Sequence, residues 1–462
     1  MKLLIRGGKV VTATESYEAS VLVEDGRIAE IGRGLTPPPD ADTYDAGGKL
    51  ILPGAIDAHV HVGLELHGHR SSGFEATTRT AAFGGVTTFL TYVHPERGET
   101  LADAAAARRE EGRGRSYVDF GLHIALTNWE DRADEEIIAM IDAGMPSFKM
   151  YTVYSASGLK SDEEHFYRAF LVAGQNGGIV EAHCENEWMI ENRIRSFAAE
   201  GKLTPADHAA TRPSYAEGEA AAAVARAAYD AGAPVYIVHV STGEALQVIA
   251  EARDIGTEVY AETCPHFLLL DDERLEGDDG ALFATCPPLR AEAHQAMLWE
   301  ALEEDEIGVI ATDHCEFTAA AKRAGAGDFR RLPMGVPGVG TLLPLMWEHG
   351  VTQGRMSEND LVDRLSTRPA EIFGLYPRKG TLAPGSDADL VIFDPARPTT
   401  IHPEMLHGHA DYSPYDGWEV AGWPFSTMVR GRWVVRDGEL VGSPEHGGFV
   451  PRSRVCQSPG TR

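Results

Sequence analysis

Eight short runs of apolar and β-branched residues recur along the chain after residue 53. They are "AIDAHVHV", "VTTFLTYV", "VDFGLHIAL", "SFKMY", "GIVEAHC", "PVYIVHV", "EVYAETC" and "IGVIATDH". Most are separated by segments of helical composition, such as "DEEIIAMIDAG" and "GEALQVIAEARDIG", which often end at a glycine. Strand and helix alternating through eight units predict a (β/α)8 barrel, an α/β fold of roughly 250 residues or more. Residues 53–375 supply that length.

The two ends of the chain show a different pattern. "SVLVEDGRIAEIG" near the N-terminus and "TMVRGRWVVRDGEL" near the C-terminus alternate apolar with polar residues around glycine-containing turns, which is typical of β-hairpins. Neither end has enough strands for a core of its own. We therefore expect residues 1–52 and 376–440 to join in an accessory β-sandwich. The Gly- and Pro-rich tail, residues 441–462, is expected to be loosely ordered or packed on a partner.

Polar side chains interrupt or end five of the predicted strands. They are His59 and His61 (strand 1), Lys149 (strand 4), His183 (strand 5), His239 (strand 6) and Asp313 (strand 8). Catalytic groups of such barrels lie at the carboxyl ends of the strands, so we expect these side chains at one mouth. Each alone has an ordinary structural explanation, such as a core histidine bonded to the backbone. Their coincidence instead predicts a site for divalent ions such as Zn²⁺, because neutral imidazole and carboxylate are preferred ligands.

Lys149 is the unexpected member of this set. An ammonium group beside two divalent ions would be strongly repelled, so an unmodified Lys149 does not fit there. Reaction with CO₂ would convert the amine into a carbamate, an anion with two oxygens, one for each metal ion. We therefore hypothesise that Lys149 is an N6-carboxylysine.

Charge and cysteine content limit the partners and the compartment. The chain has 70 acidic and 41 basic residues, a formal net charge of −29. Such a surface opposes binding to nucleic acids or anionic membranes and favours a neutral or cationic small substrate. No apolar run is long enough to cross a membrane, and "MKLLIRGGKVV" is too short for a signal peptide. Five cysteines without Cys-x-x-Cys spacing indicate reduced thiols in a cytoplasmic protein.

Motifs distributed over nearly the whole chain add a family resemblance. They include "GAIDAHVHV", "FKMY", "EAHCEN", "IVHVST", "AETCPHFLLL", "ATDHCEF" and "RPAEIFGLYPRKGTLAPGSDADLVIFDP". In these motifs the chain resembles the D-hydantoinase/dihydropyrimidinase group of cyclic amidohydrolases. The resemblance implies a homotetramer with two Zn²⁺ ions, or other divalent ions, bridged by carboxylated Lys149 and a hydroxide. His59, His61 and Asp313 would then hold one ion, and His183 and His239 the other.

The resemblance and the residues together imply a mechanism. An activated water attacks a ring amide carbonyl of a hydantoin- or dihydropyrimidine-like substrate, which opens to an N-carbamoyl amino acid. Asp313 takes the proton of the water and returns it to the leaving nitrogen. Tyr154, five residues after Lys149 as in the family, binds the substrate and donates to the developing oxyanion.

Three positions depart from family patterns and bear on the substrate. Gly63 stands where dihydroorotases carry an arginine, which argues against dihydroorotate. Cys286 and Met334 stand where hydantoinases usually have a serine and an asparagine that bind the cyclic ureide. Backbone contacts could survive both changes, but the amide side chain is lost at position 334. We therefore expect a pocket that is more apolar at one edge.

Several functions remain open at this point. Allantoinase is one alternative, and hydrolysis of another cyclic imide or amide is a second. A non-catalytic tetrameric assembly protein is a more remote possibility, because relatives of that kind have lost metal ligands and this chain keeps all six positions.

We expect His67 and His69, in the segment after the first barrel strand, to be polar loop residues rather than ligands.

Overall fold

The N-terminal strands belong to an accessory sheet outside the barrel. The computed structural model describes residues 2–129 and 132–455. The first strands are β1 (Lys2–Val11), β2 (Ser16–Glu24), β3 (Arg27–Gly32), β4 (Asp42–Asp45) and β5 (Leu50–Pro53). β1 pairs antiparallel with β2 and parallel with both β4 and β5. β5 is followed almost at once by the first strand of the barrel.

Eight parallel strands form the barrel. The next strands are β6 (Ala55–Val60), β7 (Glu65–Leu66), β8 (His69–Arg70), β9 (Val86–Val93), β10 (Asp119–Ala125), β11 (Ser147–Tyr151), β12 (Ile179–His183), β13 (Val235–Ile237), β14 (Val259–Thr263) and β15 (Val309–Ile310). β7 and β8 pair as a small hairpin, and the others follow one another in the order β6, then β9 to β15. The His61 N–H donates to the carbonyl of His314 at 2.7 Å, which joins the first strand to the segment after the last.

Helices connect the strands and bury one face against them. They are α1 (Phe74–Phe83), α2 (Leu101–Gly112), α3 (Ala133–Asp142), α4 (Glu163–Gln175), α5 (Glu187–Ala199), α6 (Pro205–Thr211), α7 (Ser214–Ala231), α8 (Gly243–Asp254), α9 (Pro265–Leu269), α10 (Glu292–Glu303), α11 (Ala319–Ala324), α12 (Leu342–Met346), α13 (Glu358–Val362) and α14 (Arg368–Ile372). In α4, for example, Phe166, Ala169, Phe170 and Ala173 are buried at the spacing of one helix face. The Asp162 side chain accepts from the His165 N–H and caps the start of that helix.

Short non-α helical segments complete the chain between these elements. The 3₁₀ segments are Ser155–Ser157, Asp272–Leu275, Gly280–Phe283, Phe329–Arg331 and Pro403–Leu406, and the π-helical segments are Trp347–Thr352 and Asp363–Thr367. Among the described residues, no helix has both the length and the apolar composition needed to traverse a bilayer.

The C-terminal strands return to the accessory sheet. They are β16 (Leu390–Asp394), β17 (Thr399–Thr400), β18 (Glu419–Val420), β19 (Trp423–Val429), β20 (Arg432–Arg436) and β21 (Glu439–Leu440). β16 pairs antiparallel with β5, so both chain ends enter one nine-stranded sheet. Buried Val10, Val21, Ile51 and Leu390 belong to one apolar cluster of this unit. The predicted fold class, a (β/α)8 barrel with an accessory β-sandwich from both ends, is confirmed; the domain boundaries stay a prediction.

Residues 447–455 of the tail pack against the barrel of their own chain. The Phe120 N–H donates to the Gly448 carbonyl at 3.0 Å, and the Val450 N–H donates back to the Phe120 carbonyl at 2.8 Å. Gly447 lies so close that an added Cβ would stand 2.0 Å from the Val118 carbonyl oxygen. The expectation of a loosely ordered tail is therefore wrong for residues 441–455, and packing on a partner stays a prediction. Here glycine serves a close backbone approach rather than flexibility.

Candidate active site

The first three predicted metal ligands meet at the mouth of the barrel. His59 lies within β6, His61 follows that strand, and Asp313 follows β15. The Asp313 Oδ1 lies 3.1 Å from the His59 Nε2 and 3.0 Å from the His61 Nε2. One donor atom of each residue lies within 4.8 Å of the other two. Two imidazoles and a carboxylate this close have the composition and spacing of a divalent metal site.

Two further imidazoles adjoin this cluster. The ring centroids of His183 and His239 are 4.6 Å apart. The His239 centroid lies 5.4 Å from that of His59. The barrel thus brings all four sequence-predicted histidines together, although they come from β6, β12 and the segments after β6 and β13.

Lys149 projects from β11 toward the same region. Its side chain is 1% exposed, and its Nζ has no hydrogen-bond partner among the described residues. The Nζ lies 5.0 Å from the ring centroid of Tyr92 and 5.5 Å from that of Tyr151. Burial lowers the pKa of the Lys149 ammonium, which favours the neutral amine. A buried amine without a partner is destabilising, so its surroundings suit a modified or ligated form.

The charges of the site favour an ionised Asp313, a neutral His239 and a protonated His59. Burial alone would raise the pKa of Asp313, but the adjoining His59 and His61 lower it well below its ordinary value. Burial, with His183 nearby, lowers the pKa of His239 well below its ordinary value. His59 differs, because Asp313 and Glu262 outweigh burial and raise its pKa to about 9. Metal binding at His59 would therefore displace a proton.

Glu262 orients His59 and was missed in the sequence. Its Oε1 lies 2.5 Å from the His59 Nδ1, which leaves the Nε2 of that ring directed at Asp313. The other oxygen of Glu262 accepts from the Tyr236 hydroxyl at 2.7 Å. Such carboxylate partners set the tautomer and orientation of metal-binding histidines. The available signal was an acidic residue inside the buried strand "EVYAETC", an interruption of the same kind as Lys149.

Three of the predicted site residues have left-handed backbone conformations. The φ angles are 76° at Tyr154, 41° at His239 and 47° at Asp313. Positive φ is uncommon for residues other than glycine. Such strain is concentrated at functional sites, where the surrounding structure holds it in place. Neither the composition nor the periodicity of the sequence predicts these positive φ angles.

Tyr154 lies beside His183. Its hydroxyl oxygen is 3.4 Å from the His183 Nε2, and that nitrogen is 2.8 Å from a carboxylate oxygen of Glu185. The buried Arg212 pairs with Glu185, and its guanidinium stands 5.6 Å from the Tyr154 ring centroid. Burial raises the pKa of Tyr154 well above its ordinary value, so the phenol keeps its proton and can donate it in a hydrogen bond.

The two residues expected at the substrate edge lie on neighbouring segments. The Cys286 Sγ is 3.6 Å from the His208 Nε2. Met334 is half-buried and precedes Gly335, whose N–H donates to the Ala284 carbonyl at 3.0 Å. Contact of either side chain with substrate stays a prediction. His67 and His69 lie at the β7–β8 hairpin, and neither belongs to the ligand cluster found among the described residues.

Comparison with known proteins gives one consistent result. The Amidohydrolase family matches residues 50–434. The D-hydantoinase of Geobacillus stearothermophilus is 39% identical over 459 residues, covering 98% of this chain and 97% of the relative. The D-hydantoinase of Streptomyces coelicolor is 36% identical, covering 99% of each chain. The crystal structure of dihydropyrimidinase from Brevibacillus agri NCHU1002 superposes with a TM-score of 0.97 at 37% identity, over 99% of this chain and 100% of that one. With such a match over most of its length, the chain belongs to the amidohydrolase family.

Proposed function

We propose that the chain hydrolyses a ring amide bond of a hydantoin- or dihydropyrimidine-like substrate. Water adds to the carbonyl carbon, the ring C–N bond breaks, and an N-carbamoyl amino acid leaves. The observation that carries the proposal is the cluster of His59, His61 and Asp313 at the barrel mouth. Its support is the full-length similarity to relatives named D-hydantoinase.

The residues at the mouth suit two divalent ions, and we propose Zn²⁺. His59, His61 and Asp313 would hold one ion, and His183 and His239 the other. The buried Nζ of Lys149, for which the described part of the chain offers no hydrogen-bond partner, supports a carbamate there. Its neutral amine would attack CO₂, an N–C bond would form, and the displaced amine proton would pass to solvent. When bound, such ions lower the pKa of a water molecule and polarise a carbonyl.

Asp313 is proposed as the general base and then the general acid. Its lowered pKa keeps the carboxylate ionised at neutral pH, so an oxygen is free to accept a proton. It would take the proton from the attacking water and deliver it to the leaving ring nitrogen. The adjoining rings of His59 and His61 hold this carboxylate in one orientation between the ends of the first and last barrel strands.

Tyr154 is proposed to bind the substrate carbonyl and to stabilise the oxyanion. The expected result of Tyr154→Phe is a decrease in kcat of about 10²-fold or more, because one donor to the developing charge is removed. Bound metal should be unchanged. Tyr229→Phe, which alters an exposed tyrosine of α7, is the matched control and should leave kcat unaltered. A near-wild-type kcat for Tyr154→Phe in steady-state assays would contradict the assignment.

The side of the pocket expected to be bordered by Cys286 and Met334 is compatible with a different substrate ring. Met334 cannot supply the amide group expected there, so a cyclic imide or amide with fewer polar atoms is a second candidate, and allantoin a third. The test is a screen of hydantoin, dihydrouracil, allantoin and cyclic imides on protein prepared with ample zinc and bicarbonate. Ring opening is followed by ultraviolet absorbance, and metal content by elemental analysis.

The expected outcome of that screen is turnover of hydantoin or dihydrouracil with about two metal ions per chain. Chelation should abolish turnover, and added Zn²⁺ should restore it. Turnover restricted to allantoin or an imide would reassign the substrate class. A metal-free protein without turnover would favour the non-catalytic assembly protein instead.

The proposed assembly and compartment rest on the family resemblance and on the cysteines. We infer a homotetramer from the family resemblance alone. Four cysteines of the described residues are free thiols: Cys184, Cys264, Cys286 and Cys315. Because thiols stay reduced in the cytoplasm, we infer a cytoplasmic protein. The net charge of −29 argues against nucleic acid or a membrane as a partner and leaves a small cyclic molecule as the expected one.

A further inference from the structure

A buried lysine joins the two segments that were expected to border the substrate. Lys322 lies in α11 and its side chain is 0% exposed. Its Nζ donates to the Ala284 carbonyl at 2.8 Å and to the Gly335 carbonyl at 2.8 Å. Ala284 is two residues before Cys286, and Gly335 follows Met334 directly. The Nζ of one lysine therefore connects the two segments.

Stability alone does not account for this lysine. The hydrogen bonds of its Nζ within the described residues go to backbone carbonyls, and no carboxylate there forms an ion pair with it. Burial lowers the pKa of Lys322 to about 7. A charge buried without a carboxylate destabilises a fold relative to an apolar side chain of the same size. The two hydrogen bonds are thus better explained by their effect on the relative position of Ala284 and Gly335.

One of the linked segments also contacts the chain just after Asp313. An added Cβ at Gly335 would stand 2.6 Å from the Cβ of Cys315, two residues after Asp313. The Cys315 N–H donates to the Val336 carbonyl at 3.1 Å. The segment of residues 334–336 is therefore held between the Asp313 segment on one side and Ala284 on the other. A shift at Lys322 would change the distance between the substrate edge and the reacting centre.

We propose that Lys322 is a positioning residue that sets the separation of the 284–286 and 334–336 segments and thereby the fit of the substrate ring. This proposal rests on the proposed function. It assigns Lys322 no contact with the reacting atoms. It predicts that the residue acts on substrate binding and on the choice between rings of different size.

The test compares Lys322→Met and Lys322→Gln with the zinc-loaded wild-type protein on hydantoin and dihydrouracil. Methionine keeps the volume but removes both donated hydrogen bonds, so KM is expected to rise about tenfold, with a smaller change in kcat. The ratio of kcat/KM between the five- and six-membered rings should change, and zinc content should not. Glutamine keeps an N–H donor, so the rise in KM should be smaller for Lys322→Gln than for Lys322→Met.

A destabilised control separates positioning from general stability. Ile137→Ala, which removes a fully buried side chain of α3, should lower Tm while leaving KM and the ring ratio unchanged. A Lys322 variant that behaves in the same way would overturn the proposal. So would a crystal structure of Lys322→Met with both segments unmoved. A zinc-loaded wild-type protein that opens neither ring would overturn the proposed function instead.

Discussion

Lys149→Ala is expected to lose most of its bound metal and to lower kcat by at least about 10³-fold. The physical reason is that the variant lacks the side chain that would carry the proposed carbamate, so two cations at this site would lose the anion that offsets their repulsion. Elemental analysis of the purified variant measures the metal, and steady-state kinetics on the substrate found in the screen measure kcat. Mass spectrometry of the native wild-type protein should show the added mass of CO₂.

Chemical rescue sharpens this expectation. Short carboxylates such as acetate or propionate could occupy the space that the side chain leaves, and they should restore part of the metal and of the activity. Lys160→Ala is the matched control, because Lys160 is partly exposed and pairs with Glu187. It should keep its metal and its kcat. Two ions held tightly by Lys149→Ala without any added carboxylate would contradict the carbamate hypothesis.

Asp313→Asn is expected to lower kcat by about 10³-fold or more, within the range found when a general base is removed. The amide has nearly the shape of the carboxylate but cannot accept the proton of the attacking water. It also removes the negative charge between His59 and His61, so weaker metal binding should accompany the loss. The assay therefore uses saturating Zn²⁺, which separates lost base catalysis from lost metal.

Asp411→Asn provides the comparison for this prediction. The Asp411 carboxylate accepts from the Ala319 N–H at 2.7 Å and is not part of the ligand cluster. Its replacement should leave kcat within about twofold of wild type, because a surface substitution away from the ligand cluster has only a small effect on the protein. An Asp313→Asn enzyme that retains a tenth or more of the wild-type kcat would remove Asp313 from the role of base.

The barrel could be predicted because its strands carry a local signal. β6, β9 and the strands that follow are buried runs bounded by turn residues, and their spacing along the chain matches βα units. The polar ends of those strands then indicated the site. The tail shows the opposite case. Its glycines suggested flexibility, whereas Gly447 is required by contact with Val118, a residue far away in sequence.

Within the site, the residues that escaped prediction act through distant partners. Glu262 is informative only once the closed barrel directs its carboxylate from β14 at His59 in β6. Lys322 is informative only once Ala284 and Gly335 lie side by side. No sequence spacing indicates either set of contacts, because the partners are far apart along the chain. The left-handed φ of Tyr154 likewise follows from the tertiary structure and not from its residue type.

The hydrogen bond from His61 to the carbonyl of His314 has a consequence for biosynthesis. During synthesis His59 and His61 are made first, and Asp313 follows only 252 residues after His61. A nascent chain therefore has no complete pocket for an ion until its last barrel strand leaves the exit tunnel. Binding of an ion at this cluster would thus come after the last barrel strand has been made, and a chain that ended before that strand would lack Asp313.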